Sequence, residues 1–393
     1  MARVLTRPSQ VALLYVCVSY AFGSALFSNG LVLSSAYAAE AQLWTINGFL
    51  VWAATVATTI LWTSKVRAKD LASHQEFKPS ETKSTLLAAT AAVFSILFYL
   101  LDEYVLFVFG LSAFLLAVAS SKSLSIYSYP FYLASLAALS IPAINSKRLL
   151  IFPVIIAALM LANMGRLSKS VAFSIATLGT LAILFFSVLR GYGGLEVTNA
   201  SELWNATGNY IRSDYFFSGF GNNTEVNYFY FHGVNSIELF IREDIFVYGE
   251  TIAKSVLLGM SRLGLEHGLR SGIEIYTTAY APAFRVIGGS FPISFFSEMF
   301  LNFWVFSFVA TPFVLFLFDR IFFVLQKLSP ATFGLAASFL FLHAFLLLIR
   351  GSSFDVFALN LIYSVFGILF ARFLFLFRGR RRSKRRHYAL EME

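Results

Sequence analysis

Apolar runs long enough to cross a bilayer recur along this chain, and inside hydrocarbon every backbone N–H and C=O has to be bonded within the segment itself. Helices satisfy that demand, so the chain reads as an all-α polytopic membrane protein. Taking about 17 to 25 apolar residues as one crossing gives ten expected spans: Val11–Phe27, Leu43–Thr63, Thr85–Leu101, Tyr104–Ser120, Leu124–Ile144, Leu149–Gly165, Val171–Leu189, Phe295–Phe318, Thr332–Ile349 and Phe354–Phe377. A composition that is 58% hydrophobic and 13% charged, with a mean hydropathy of +0.72, supports that class.

One stretch breaks the pattern. Residues 190–292 are polar, aromatic and rich in arginine, and a connection of that size binds or catalyses more often than it merely joins. The expected organisation is an N-terminal bundle over 1–189, this loop over 190–292, C-terminal helices over 293–377 and a basic tail over 378–393. With the N-terminus inside, nineteen cations fall on the cytoplasmic side, seven of them between Arg378 and Arg386, and the short opposite connections hold only Lys147, Arg148 and Arg350. Positively charged short loops stay cytoplasmic. Both termini are therefore expected inside a bacterial inner membrane and the large loop in the periplasm.

The net charge of +9 is topological on this reading, and the tail meets anionic headgroups rather than nucleic acid. The lone cysteine, Cys17, lies in an apolar run, so the loop is held by packing and not by a disulfide. The first apolar run ends near Ala36-Tyr37-Ala38, which has the small-residue pattern of a signal cleavage site, but the run is long for a signal and is read as retained. Asn-x-Ser/Thr triplets at Asn199, Asn205 and Asn222 are read as loop sequence. The five histidines are scattered, no residues have metal-ligand spacing, and His343 is read as a helix residue. No metal or other cofactor is expected.

Three parts of the loop differ in composition. Residues 190–221 are Gly- and Asn-rich and read as irregular chain; 222–233 carries Tyr228, Phe229, Tyr230 and Phe231 in a row; 234–269 holds two amphipathic helical stretches. In the second of these Ile252, Val256, Met260 and Leu263 share a face, expected to lie on the membrane surface. Arg190 and Arg350 close expected helices, each before a glycine, and Arg212, Arg242, Arg262, Arg270 and Arg285 come from the loop. Guanidinium forks grip phosphate with two hydrogen bonds. Tyr210, Tyr215, Tyr228, Tyr230, Tyr276 and Tyr280 supply ring faces for pyranose recognition. For each of these groups the plainer role is pairing with the ten loop carboxylates or belonging to an interfacial aromatic belt.

The segment RSGIEIYTTAYAPAFRVIGGSFPISFFSEMFLNFW (Arg270–Trp304), with Gly288, Gly289, Pro292, Glu298, Asn302 and Phe303, resembles the polar loop, turn and following helix of Wzy-type oligosaccharide repeat-unit (O-antigen and capsule) polymerases. LLIRGSS (Leu347–Ser353) and LRGYGG (Leu189–Gly194) are similar to that family's Arg-Gly steps. The resemblance covers the C-terminal half and implies a fold like the GT-C glycosyltransferase class. It implies glycosyl transfer from a polyprenyl diphosphate to a hydroxyl of another lipid-linked repeat unit, without nucleotide sugar, and a chain-length-regulating co-polymerase as partner. Met260-Ser261-Arg262 lacks the Pro-Arg common in similar enzymes, no Lys-Pro follows, and Ile293-Ser294 stands where related ligases carry His-Asn. That ranks polymerase above ligase; a flippase of lipid-linked sugar is the alternative from another class.

Fixed cations stabilise a leaving diphosphate, and an acceptor hydroxyl needs a base. The expected diphosphate ligands are Arg190, Arg270 and Arg350, then Arg262 and Arg285; the candidate bases are Glu274, Asp244 and His232; Glu298 is expected to orient an arginine.

The charge asymmetry makes a first prediction. A reporter active only in the periplasm works when fused after Asn222 and is silent after Gln75 or Arg382; activity at Gln75 with silence at Asn222 reverses the orientation.

Overall fold

The computed structural model describes residues 7–16, 81–101, 103–120, 148–165, 177, 200–213, 226–262, 268–328 and 331–390. The spans expected at 43–63, 124–144 and 171–189 lie outside these, save residue 177, and so does Arg190. Among the described residues the chain is helical, without strands.

The helices are α1 (Pro8–Val16), α2 (Glu81–Leu101), α3 (Tyr104–Ser120), α4 (Arg148–Asn163), α5 (Ala200–Arg212), α6 (Val226–Arg242), α7 (Glu250–Arg262), α8 (Gly272–Tyr280), α9 (Pro282–Val286), α10 (Phe295–Phe303), a 3-10 turn at Trp304–Phe306, α11 (Ser307–Gln326), α12 (Ala331–Arg350) and α13 (Phe354–Leu390). Four stretches have the length and hydropathy to cross a membrane: Ser84–Leu101, Phe295–Gln326, Ala331–Arg350 and Phe354–Phe373. Tyr104–Ser120 and Phe152–Asn163 are shorter apolar helices. The chain is thus a helical protein with membrane-crossing character.

It divides into two compact units. The second comprises Lys69–Arg166, Ile321–His343 and Asn360–Glu393. Two residues join α2 to α3, which forces the helices alongside each other. Small residues set their spacing: a Cβ on Gly110 would stand 3.0 Å from Ser95 Oγ and 3.2 Å from the Ala91 carbonyl. A Cβ on Gly334 would stand 2.7 Å from the carbonyls of both Leu325 and Leu328, so the chain between α11 and α12 passes close against this glycine. His343 is buried, its ring 6.3 Å from that of Phe107, as expected of a helix residue.

The first unit comprises Met1–Ala68, Leu167–Arg320 and Ala344–Leu359 and contains the described part of the polar segment. Its core joins Ile237, Leu239 and Phe240 of α6, Ile275 and Tyr276 of α8, and Ile293, Phe300 and Leu301 of α10 with its approach. Burial of aliphatic and aromatic side chains of this size stabilises by roughly 1.5–3 kcal/mol each, so the polar segment folds on apolar burial.

Three expectations change. The Gly- and Asn-rich stretch is not all irregular: α5 forms with Ala206 and Tyr210 inward, Glu202 in its first turn and Arg212 in its last, charges that suit the helix dipole. The row of aromatics from Tyr228 to Phe231 lies inside α6, which runs on to Arg242. The expected crossing Phe295–Phe318 is not one continuous helix, because Trp304 has a φ of 45°, a conformation a bulky L-residue rarely adopts, and separates α10 from α11. Further along, α13 continues as helix through the basic tail to Leu390. The second amphipathic helix exists as α7; Thr251, off the expected apolar face, is buried, and Val256, on that face, is 77% exposed.

Candidate functional site

Ser271 caps α8 through a reciprocal pair: the Glu274 amide donates to Ser271 Oγ at 3.2 Å, and the Ser271 amide donates to Glu274 Oε2 at 2.7 Å. That cap fixes Glu274 where two cations converge. Lys254 Nζ of α7 donates to Glu274 Oε2 at 2.6 Å, and Arg285 Nη2 of α9 donates to Glu274 Oε1 at 3.0 Å. Burial works to raise the Glu274 pKa, but Lys254 and the Ser271 amide outweigh it and hold the carboxyl below its ordinary range.

A second ion pair stands beside the first. Arg270 donates from its backbone amide to Glu250 Oε1 at 2.8 Å, from Nε to the same oxygen at 3.2 Å and from Nη2 to Oε2 at 3.3 Å. Burial opposes ionisation of Glu250, and the Arg270 hydrogen bonds overcome it, so its pKa is lowered and that of Arg270 raised. Lys254, Arg270 and Arg285 thus face Glu250 and Glu274, three cations against two carboxylates. The Arg270 and Arg285 side chains stay 59% and 38% exposed, so an anion from solvent can reach both forks.

Aromatic rings gather on α8 and α9. Tyr276 and Tyr280 stack with centroids 5.6 Å apart, Tyr280 meets Phe291 edge-on at 5.2 Å, and Phe284 lies 4.8 Å from Phe291. Behind them, Asn235 Nδ2 donates to Tyr276 Oη at 2.9 Å and His232 Nδ1 lies 2.7 Å from the same oxygen. Which of the Tyr276 hydroxyl and His232 Nδ1 donates in that pair follows the imidazole tautomer. Burial pushes the His232 pKa down to about 3, so the ring is neutral at physiological pH.

A fully buried acidic side chain, Glu298, ties this group to the chain just after α12. Glu298 Oε2 accepts the Phe354 amide at 3.1 Å, and Oε1 has no partner at hydrogen-bond geometry among the described residues, although the Thr251 hydroxyl and the Gly272 amide lie beside the group. A Cβ on Gly272 would stand 2.7 Å from Glu298 Oε1 and 2.9 Å from Cδ. The Ile293 amide donates to the Gly351 carbonyl at 3.3 Å, and Gly351 has a φ of 123°, which a glycine tolerates. Arg350, one residue earlier, is buried.

The first unit therefore brings together Glu274, Arg270, Arg285, Tyr276, Tyr280 and His232, with Glu298 beneath the start of α8. Arg350 belongs to the turn that Glu298 holds. Asp244 stands apart from the cluster, on an exposed turn with a φ of 51°. The backbones of Tyr228 and Tyr230 lie in α6 and that of Arg262 ends α7; their side chains are outside the described residues. Lys254 and Glu250 were not among the candidates, although Glu250 and Lys254 at i and i+4 on an amphipathic stretch, and Ser271-x-x-Glu274, were both readable signals. Among the described residues no group of three or more His, Cys, Asp or Glu is placed to hold a metal ion. No family model matches the chain, and no curated protein or solved structure shows significant similarity to it.

The buried imidazole makes stability depend on pH. Its folded pKa of about 3 lies below the unfolded value near 6.5, so the unfolded chain binds the extra proton between them. Stability from this group is complete above pH 6.5 and falls on acidification by up to about 1.4 kcal/mol per pH unit. His232→Gln flattens the loss of thermal stability in detergent between pH 6.5 and 5; equal slopes for the two proteins refute this. A second expectation concerns Gly272. Gly272→Ala forces a methyl into Glu298 and destabilises by about 1–3 kcal/mol, and combining it with Glu298→Ala gives a loss smaller than the two single losses added. Strict additivity in thermal unfolding removes the contact.

Proposed function

We propose that the chain transfers a glycan from a polyprenyl diphosphate to a hydroxyl of another lipid-linked repeat unit at the outer face of a bacterial inner membrane, building polysaccharide. The observation that carries this reading is the gathering of Arg270, Arg285 and Lys254 beside stacked tyrosines in a unit continuous with a membrane-crossing helix. The cations suit the diphosphate, and the Tyr280, Phe284 and Phe291 rings suit pyranose faces.

In the proposed step the bond from the anomeric carbon to the diphosphate oxygen breaks, and the diphosphate departs with the electron pair. The acceptor oxygen bonds to the same carbon and loses its proton. Electrostatic stabilisation of the departing oxyanion is the main contribution asked of the protein. Glu274 already accepts from Lys254, Arg285 and Ser271, so its role on this reading is to aim those cations rather than to take the acceptor proton. Asp244 reads as a turn residue. His232, neutral and bonded to Tyr276, holds the aromatic wall in register. The acceptor proton then leaves late, to water or to the product diphosphate.

Deletion of the protein tests the assignment at its coarsest. A polymerase predicts loss of the long-chain ladder with a single repeat unit retained on the lipid core; loss of every repeat unit indicates a flippase or a ligase. Replacement of the cations tests the site: Arg285→Ala and Arg270→Ala abolish long chains at near-normal membrane expression, because half-exposed arginines contribute little to folding. Loss of one charge-assisted contact to a developing oxyanion is worth on the order of 3 kcal/mol, or about a hundredfold in rate. Lys restores activity only in part, Arg190→Ala and Arg350→Ala also lose long chains if those residues share the diphosphate, with Arg350→Ala read per amount of folded protein because Arg350 is buried, and Arg148→Ala is silent. Full-length polysaccharide from both loop variants removes the cluster from the mechanism.

A further inference from the structure

The stretch Phe295–Gln326 is 32 residues long, and at about 1.5 Å per residue a helix of that length exceeds a bilayer core of about 30 Å by half again. The break at Trp304 divides it unequally. Beyond the break, α11 has 20 residues, which match the hydrocarbon thickness by themselves. Val309, Phe313 and Leu317 repeat at i, i+4 and i+8 and are 70%, 51% and 41% exposed, the outward stripe of a helix in lipid. Before the break, every residue of α10 from Phe295 to Asn302 is buried in protein, and its polar groups bond to the polar segment: Ser297 Oγ to the Gly233 carbonyl at 2.8 Å and Asn302 Nδ2 to Thr251 Oγ1 at 2.7 Å.

At the break the surface changes character. Trp304, Val305 and Phe306 are exposed, Phe306 by 72%. The loop between α6 and α7 is strapped to the same place, with the Val247 amide on the Leu301 carbonyl at 3.1 Å and the Phe246 ring 4.7 Å from Trp304. Tyr248, next in that loop, is 84% exposed with a φ of 45°. Two residues later comes Glu250, which holds Arg270. Amphipathic aromatic rings at the end of a lipid-facing stripe, next to a half-exposed guanidinium, have the order of chemistry found from the acyl boundary to the headgroup layer.

We infer that Phe246, Tyr248 and Trp304–Phe306 form a seat in the phospholipid leaflet on the side of the polar segment. The seat puts the membrane boundary at Trp304 rather than Phe295, leaves α10 outside the hydrocarbon as the central post of the folded segment, and sets the Arg270–Glu250 pair at the level of the lipid phosphates. The occupant is a leaflet rather than a second protein because the patch is continuous with the lipid-facing stripe of α11. This assignment stands independently of glycosyl transfer.

The test uses the full-length protein with Cys17→Ser, carrying Tyr248→Cys, Val305→Cys or, as a control at an exposed polar position of α5, Asn209→Cys. Each cysteine is labelled with an environment-sensitive fluorophore in vesicles of phosphatidylcholine and phosphatidylglycerol. Labels at 248 and 305 are expected to emit to the blue of the control, to be quenched more by nitroxide lipids labelled near the headgroup than by those labelled deep in the chain, and to resist aqueous iodide. Water-like emission with strong iodide quenching at both positions overturns the seat. So does a blue-shifted emission that nitroxide lipids do not quench and that reverts on dilution of protein into more lipid, since that result puts a second copy on the patch. Tyr248 is almost wholly exposed, so its replacement leaves the core intact and the result interpretable even if Val305→Cys misfolds.

Discussion

The folded polar segment depends on α10, a helix that is hydrophobic enough to be read as membrane yet is spent inside protein. Phe295, Phe296, Met299, Phe300 and Leu301 give it an apolar surface on more than one side, and that surface is covered by α6, α8 and the residues around Phe354. Its three polar residues each hold a different neighbour: Ser297 holds α6 at Gly233, Glu298 holds the start of α13 at Phe354, and Asn302 holds α7 at Thr251. Buried polar groups cost free energy unless bonded, so these contacts fix which segment lies where while the apolar contacts supply the net stabilisation. The packing and polar bonding together explain how a long connection without a disulfide among its described residues forms a defined site.

Because α8 is laid directly on α10 through Gly272 and Glu298, the cap at Ser271 and the cations that meet at Glu274 inherit their position from that contact. The aromatic wall is set from the other side of the same helix, where Tyr276 joins the core and reaches Asn235 and His232 of α6. One short helix therefore orders charge at its start and rings along its length. The neutral state of His232 follows from the same burial: an imidazolium there would lie in the apolar core beside Phe291, with its centroid 4.9 Å away.

Much of the helical framework was legible because one variable, hydropathy over a window, decides it. The expected runs at Thr85–Leu101, Tyr104–Ser120, Thr332–Ile349 and Phe354–Phe377 all fall within helices, the last of which continues to Leu390. Hydropathy does not say whether an apolar helix is covered by lipid or by protein, and α10, part of a stretch long and apolar enough to cross a membrane, is buried within the protein itself. Nor did composition reveal α5, whose Gly and Asn content masks an inward row of Ala206 and Tyr210. In the site, arginine and tyrosine were readable as residue types suited to phosphate and sugar, whereas their carboxylate partners were not assigned, because Lys254 to Glu274 and Arg270 to Glu250 each join residues 20 apart in the chain, on different helices or their approaches, a pairing the sequence leaves open.

Those partners alter what the cluster can bind. Free arginines would take any anion, but Arg270 holds its carboxylate through three hydrogen bonds and Arg285 shares one with Lys254, so a ligand has to compete with contacts already made. A singly charged anion offers each fork no more than Glu250 or Glu274 does, and also has to be desolvated and immobilised. A diphosphate offers several acceptor oxygens and at least two charges in one group, which on the reading proposed above is what lets it compete for Arg270 and Arg285 where a singly charged anion does not. The three cations and two carboxylates leave one net positive charge, and a diphosphate more than neutralises it. Additional positive potential becomes most valuable as the bond to the sugar breaks and the leaving oxygen gains charge. On the reading proposed above, the retained carboxylates therefore do more than orient the arginines: they weaken binding of the resting substrate and of small anions, and leave the cations to act most strongly where charge is still developing.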